Sequence, residues 1–438
     1  MHTRRTFLGA SAASLAAVAL AARRANAVST DSMGFDTAEQ PASALPPAIR
    51  ALSPMRAGVI PISIDERRAR IERARALMSQ HGIDALLLTG GTSMDYFTGI
   101  RWGVSERLLA AVIPAKGTTF LVTPKFEEVR AMEQAHLGPL GKDAEVFAWE
   151  EHESPYALIA QGLKSRGLAT ATIGVEETVK FVFADGAAHV PNVTVVSGTP
   201  VTAGCRTVKD AHERALMRHA SQVTLRAYEA AWKSLREGMT QDDFARLVQQ
   251  AHKRLGFDGS AGVQVGKYSA LPHGSATPQV VREGSILLID GGCKVEGYSS
   301  DISRTFVLGK ATQRMKDVFE IEHRAQSAAL KAAKPGVPCE AVDAAARKVI
   351  VDAGFGPDYK YFGHRVGHGM GMDGHEWPYL VRGNTLPLAP GMVFSDEPGI
   401  YIPGEFGIRL EDDMVITDSG AELFTPQSFS LEQPFARG

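Results

Sequence analysis

Four acidic residues and one histidine in the C-terminal half of the chain have the types and settings of a metal site. Asp290 ends a short apolar run, Ile286–Ile289. Asp301 opens the next run, Ile302–Leu308, and the turn between them contains Gly291, Gly292 and Gly297. A hairpin of that length can set both carboxylates at one end of two paired strands. His368 stands between Gly367 and Gly369, where small neighbours let a backbone approach a ligand. Glu397 precedes the turn Pro398-Gly399. Glu411 lies in Arg409-Leu410-Glu411-Asp412-Asp413, ahead of a strand over Met414–Thr417. Each residue alone is more ordinary as a turn, surface or structural residue, so the set carries the argument. Four carboxylates in one pocket raise each other's pKa unless cations are present. Two divalent ions roughly 3–4 Å apart relieve that repulsion, hold a bridging hydroxide and polarise a carbonyl. One nitrogen among many oxygens favours a harder ion, so Mn²⁺ is expected, with Co²⁺, Zn²⁺ or Fe²⁺ as alternatives.

The elements that position these residues are legible around them. Ser63 caps a helix with Glu66 in the capping-box position, Ile71, Ala74 and Leu77-Met78 form its apolar stripe, and Gly82 stops it. Short apolar runs follow at Ile83–Thr89, Leu109–Pro114, Thr118–Thr123 and Ala171–Glu176, the second and third separated by a Lys-Gly turn that predicts a hairpin. Helices alternating with strands make this region a small α/β domain. A long helix is expected from about Asp210 to Arg236, with Leu216, Ala220, Val223 and Ala227 on its core face. The chain then resembles itself. Phe257 follows Gly238, and Phe355 follows Gly336, by 19 positions; Asp290 follows Gly284, and Glu397 follows Gly391, by six. Two similar halves facing each other would bring their strand-end carboxylates together.

The stretches LLIDGGCKVEGYSSDISRTF, HRVGHGMGMDGHEWP, MVFSDEPGIY and GIRLEDDMVIT closely resemble the pita-bread metallopeptidases: methionine aminopeptidase, aminopeptidase P, prolidase and the metal-free creatinase. They stand in family order, and the likeness covers roughly residues 205–420. A less specific likeness, including DYFTG at Asp95–Gly99, covers the family's N-terminal domain. The resemblance implies an α+β chain. A pita-bread catalytic domain with a pseudo-twofold repeat (205–438) follows a smaller α/β domain (61–204).

It further implies that Asp290 chelates one metal, Asp301 and Glu411 bridge both, and His368 and Glu397 complete the second. His273, His364 and His375 are implied to hydrogen-bond the scissile carbonyl, the tetrahedral intermediate or the peptide ends. Arg409 would orient carboxylates or grip a substrate carboxylate, and Glu397 would shuttle a proton to the leaving nitrogen. The implied activity is hydrolysis of the bond before proline in a small peptide with proline second, as in Xaa-Pro dipeptidase (prolidase) or Xaa-Pro aminopeptidase, by a homodimer. Alternatives are a lyase acting on a small sulfonium compound with the same metal site and, less favoured because no ligand is lost, a non-enzymatic binding module.

The rest of the chain bounds these readings. It has 438 residues, 44 % hydrophobic and 22 % charged, with a formal net charge of -2, which suits a two-domain globular protein and argues against nucleic acid as a partner. Cys205, Cys293 and Cys339 are too few and too far apart for a disulfide framework and are expected to be buried thiols. Residues 1–27 read as a Tat-type signal: Arg4-Arg5-Thr6-Phe7-Leu8, a small and apolar run from Gly9 to Ala22, then Ala25-Asn26-Ala27. Thr3 and Gly9 depart from the usual pattern. The apolar run is too short for a bilayer span, so a periplasmic or secreted protein without stable membrane insertion is expected. Residues 28–60, rich in Ala, Pro and Ser, read as a linker or extended arm.

Overall fold

Ser63 starts the first long helix, as its capping box requires. Its hydroxyl accepts from the Glu66 amide while the Glu66 carboxylate accepts from the Ser63 amide, an arrangement worth about 1 kcal/mol. The helix ends at Gly82, whose left-handed φ of 64° a side chain would strain. The computed structural model describes residues 45–436, and those from Pro46 onward form one body. The expected signal at residues 1–27 lies outside the described residues. The arm before Ser63 is not free along its whole length. Pro47–Arg50 (α1) forms one helical turn and buries Ile49 and Leu52.

Residues Ile64–His81 (α2), Thr92–Thr98 (α3), Glu128–Leu137 (α4), Pro155–Lys164 (α5) and Phe181–Ala188 (α6) alternate with six strands: Ala85–Thr89 (β1), Ala110–Pro114 (β2), Phe120–Pro124 (β3), Glu145–Trp149 (β4), Ala171–Val175 (β5) and Val193–Ser197 (β6). The strands form one mixed sheet in the order β4-β3-β2-β1-β5-β6. The predicted hairpin is β2–β3, and β5 and β6 add in parallel beside β1. Strands β1 and β2 are buried along their whole length, as expected where helices cover both faces. The helix Thr199–Arg206 (α7) leads out of this domain, so the boundary expected after residue 204 falls inside a helix.

The C-terminal half opens with Ala211–Trp232 (α8), capped by Asp210, its Leu216, Ala220, Val223 and Ala227 buried as the stripe predicts. It stops four residues before the expected Arg236. Gln241–Leu255 (α9) packs on α8 and on the strand Gly259–Val265 (β7), while α8 packs on Ile286–Val295 (β8). Tyr298–Ser299 (β9) and Ile302–Val307 (β10) complete that sheet. The second half repeats the pattern. Gln313–Ala332 (α10) packs on Cys339–Asp352 (α11). The strands Gly367–Gly369 (β11), Glu376–Leu380 (β12) and Val393–Asp396 (β13) follow. A hairpin of Gly399–Ile402 (β14) and Phe406–Arg409 (β15) comes next, then Asp412–Ile416 (β16) and Ala421–Leu423 (β17). This is the pita-bread arrangement. The glycines that open the two repeats, Gly238 and Gly336, share a left-handed backbone, φ 88° and 82°, and so do Gly256 and Gly354, which precede Phe257 and Phe355, φ 93° and 92°. All three cysteines are buried and unpaired. No helix among the described residues is long and apolar enough to cross a membrane.

One buried group makes stability depend on pH. His252 on α9 is fully buried. Its Nδ1 lies 2.9 Å from the Val248 carbonyl and its Nε2 3.3 Å from the Thr224 hydroxyl. Burial pushes its pKa down to about 4. The unfolded chain therefore takes up a proton below about pH 6.5 that the folded chain refuses. Stability should fall by about 1.4 kcal/mol per pH unit between about 6.5 and 4 from this group alone. Denaturant unfolding of the protein and of His252→Gln across that range should show a shallower pH slope for the variant.

Candidate active site

The two paired strands β8 and β10 place the first two carboxylates. The sequence suggested that Asp290 ends its strand, but β8 continues through it to Val295. Asp290 therefore sits mid-strand, opposite Ser303. Gly291 allows this because a Cβ there would meet the Ser260 carbonyl at 2.4 Å, so only glycine lets β7 pass so close. Asp301 lies just before β10, and its amide donates to the Asp413 carboxylate at 3.3 Å. His368 is on β11. A Cβ at Gly367 would meet the Ser395 carbonyl at 2.1 Å, so the small neighbours of His368 admit the adjacent strand rather than a ligand. Glu397 follows β13, and Glu411 follows β15.

The structure brings all five together. Asp290, Asp301 and Glu411 offer oxygens within 4.8 Å of one another, and so do ligand atoms of His368, Glu397 and Glu411. His368 Nδ1 lies 3.1 Å from the Gly369 carbonyl and donates to it. That turns Nε2 toward Glu397 at 3.2 Å and Asp301 at 3.8 Å, the orientation a metal ligand needs. Burial and the neighbouring carboxylates push Asp301 and Glu411 well above the ordinary carboxylate range. Burial also acts to raise Glu397, but His368, His364 and Arg409 outweigh it and hold it low. Without cations this set is electrostatically unfavourable, and the oxygen-rich donors with one imidazole fit a pair of hard divalent ions.

Arg409 is buried and fully engaged. It donates to Asp290 at 2.7 Å, to the Ser303 hydroxyl at 2.9 Å and to the Tyr401 hydroxyl at 2.8 Å. Of the two uses expected for it, the one visible here is orienting a carboxylate. His364 also differs from expectation. Its Nε2 lies 2.8 Å from the Tyr401 hydroxyl and its Nδ1 2.8 Å from the Arg365 carbonyl. Arg409 donates to Tyr401, Tyr401 donates to His364, and His364 donates to the backbone. Neither ring nitrogen is free for a substrate. His273 is exposed on a loop whose neighbour Pro272 accepts from Arg409 at 3.4 Å. His375 is exposed, stacks on His368 with ring centres 3.7 Å apart, and offers a nitrogen within 4.8 Å of Asp301 and His368 ligand atoms.

Two further residues join the site. The Ser303 hydroxyl lies 2.6 Å from Glu411 and 3.1 Å from Asp290. Pairing β10 with β8 would have revealed it, since residue 303 falls opposite 290. Arg365 donates to His375 Nδ1 at 3.3 Å and lies over the Tyr379 ring. Trp377 is partly exposed beside the site, whereas Tyr401 is core.

Residues 215–418 match the description Metallopeptidase family M24, and residues 70–208 match Creatinase/Prolidase N-terminal domain. The probable dipeptidase PepE of Mycobacterium tuberculosis is 37 % identical over 80 % of this chain and 92 % of its own length. The chain belongs to metallopeptidase family M24. The Xaa-Pro dipeptidase of Lactobacillus delbrueckii subsp. lactis is 33 % identical over 83 % of this chain and 98 % of its own. The crystal structure of dipeptidase PepE from Mycobacterium ulcerans superposes with a TM-score of 0.79 at 34 % identity, covering 85 % of this chain and 99 % of that one. This M24 chain is thus a hydrolase of a family that depends on two metal ions, with prolidases among its structural neighbours.

Removing the Ser303 hydroxyl leaves Glu411 and Asp290 without their shared donor. Ser303→Ala should weaken divalent metal binding by about 10–100-fold. Titration calorimetry with Mn²⁺ would show it, with an unchanged circular dichroism spectrum.

Proposed function

We propose that this protein hydrolyses the peptide bond before proline in Xaa-Pro dipeptides. The observation that carries the reading is the convergence of Asp290, Asp301, His368, Glu397 and Glu411 beside one exposed imidazole, His375. These five residues would hold two divalent ions, Mn²⁺ by preference. When bound, the ions supply an activated water and a Lewis acid for the carbonyl. Glu397, kept ionised by its basic neighbours, takes a proton and passes it to the leaving proline nitrogen. His375 accepts from Arg365 at Nδ1, so its proton is on Nε2. Partial desolvation of its ring and the neighbouring His368 favour its neutral form, and Nε2–H donates to the developing oxyanion. The relatives named Xaa-Pro dipeptidase support the choice of bond.

Arg365 supports dipeptides over longer peptides. It lies beside His375, and no carboxylate pairs with it among the described residues. A guanidinium there suits the terminal carboxylate of a short substrate. Export by the Tat-type leader and dimer formation are further proposals, supported by the leader sequence and the family resemblance.

Two measurements test this. Asp301→Asn should abolish turnover of Ala-Pro while leaving the fold intact by circular dichroism; retained turnover would overturn the reading. Arg365→Met should raise KM for Ala-Pro by about tenfold or more, the scale of one charge-assisted hydrogen bond, and leave KM for Ala-Pro-amide unchanged. Turnover of a sulfonium substrate in place of Ala-Pro would favour the lyase alternative.

A further inference from the structure

His375 sits on an exposed turn, and its position has an identifiable support. The turn runs from Gly371 to Glu376. At its start, the Ser299 amide donates to the Gly371 carbonyl and Lys294 donates to the Met372 carbonyl, both at 2.7 Å. At its end, the acids Asp373 and Glu376 flank His375. Their side chains converge, since Arg206 Nη2 pairs with both. Glu376 is buried and Arg206 nearly so. Lys209 lies 3.3 Å from the other Glu376 oxygen. The α/β domain adds its own contacts. The Thr92 hydroxyl donates to Asp373, Arg206 donates to Ser93 at 3.3 Å, Ser93 donates to Glu176 at 2.6 Å, and the Trp377 indole donates to Glu177.

We propose that Arg206 is a positioning residue for the hydrolysis, holding His375 in place by bridging Asp373 and Glu376. This rests on the reading of His375 as the oxyanion donor. The argument is electrostatic and geometric. Two ionised carboxylates three residues apart in one tight turn repel each other. A single guanidinium between them converts that repulsion into two charge-assisted bonds. Lysine carries one compact charge and no second nitrogen for the Ser93 hydroxyl that Arg206 Nη1 reaches, so it can restore the charge but not the full geometry. Without the bridge the turn opens, and His375 leaves its stack on His368. Because Arg206 is the last residue of α7, the helix leaving the α/β domain, that domain becomes part of the catalytic geometry. Asp290, Asp301, Glu397 and Glu411 are carried by other elements, and β11, which carries His368, is also paired with β13, so metal binding should survive loss of the bridge.

The experiment is a double-mutant cycle on the metal-loaded protein with Ala-Pro, using Arg206→Met, Arg206→Lys, His375→Ala and the Arg206→Met/His375→Ala pair, with bound metal counted by mass spectrometry. Arg206→Met should lower kcat by about 100-fold, the scale of a roughly 1 Å misplacement, with KM changed less than about threefold. Two metals per chain should remain bound, and Arg206→Lys should recover part of kcat. The double variant should be no slower than His375→Ala alone. Multiplicative losses in the double variant would overturn the proposal, as would a loss of metal that accounts for the fall. Full activity in Arg206→Met would do the same. If that variant does not fold, the lysine variant is put through the same cycle. Full activity in His375→Ala alone would refute the oxyanion reading instead. In that case a crystal structure of Arg206→Met still decides the positioning claim by whether the His375 ring has left His368.

Discussion

Four carboxylates share one buried space, and the rest of the site is arranged around their mutual repulsion. Two ionised carboxylates about 4 Å apart repel by about 4 kcal/mol near a protein surface. Several such pairs rival the whole net stability of a domain, about 5–15 kcal/mol. Compensation is therefore a requirement of folding as well as of catalysis. Arg409 supplies one fixed positive charge, against Asp290. His368 stabilises Glu397, and bound divalent ions would supply the remainder.

Behind the site the same problem recurs one layer deeper. Arg304 and Asp412 form a fully buried pair, and Arg304 also donates to the Glu411 carbonyl at 2.7 Å. The backbone that carries a site carboxylate is thus tied to an ion pair with no solvent access. Breaking one partner of such a pair is costly because the other is left buried and uncompensated. Glu322 and Asp396 are also fully buried, and burial pushes both well above the ordinary carboxylate range. They fit this layer as neutral acids, adding no further negative charge beside Glu397.

The α/β domain presses on the site through a few polar contacts instead of a shared apolar core. Thr92 and Arg206 reach the turn that carries His375, Ser93 and Glu176 back Arg206, and Glu177 holds the adjoining Trp377. Such contacts depend on direction, so they can set the place of one imidazole. Of the metal-facing carboxylates, Asp290 is fixed within β8, while the amides of Asp301, Glu397 and Glu411 are tied to Asp413, Val366 and Ser303.

The sequence by itself determined the elements and the acidic set. The cap at Ser63, the helix start near Asp210, the β2–β3 hairpin, the α8 stripe and the internal repeat follow from local chemistry, where one residue's neighbours in sequence are its neighbours in space. The five clustered residues were legible because each stands beside a turn or a strand end in a distinctive motif. Tertiary structure alone decided what each side chain faces. It put Ser303 opposite Asp290, and it spent both nitrogens of His364 on Tyr401 and the Arg365 carbonyl. It turned Arg409 inward and brought Arg206 to Asp373 and Glu376 across more than 160 positions. Those pairings depend on strand register and on which elements pack together, and no local pattern encodes them.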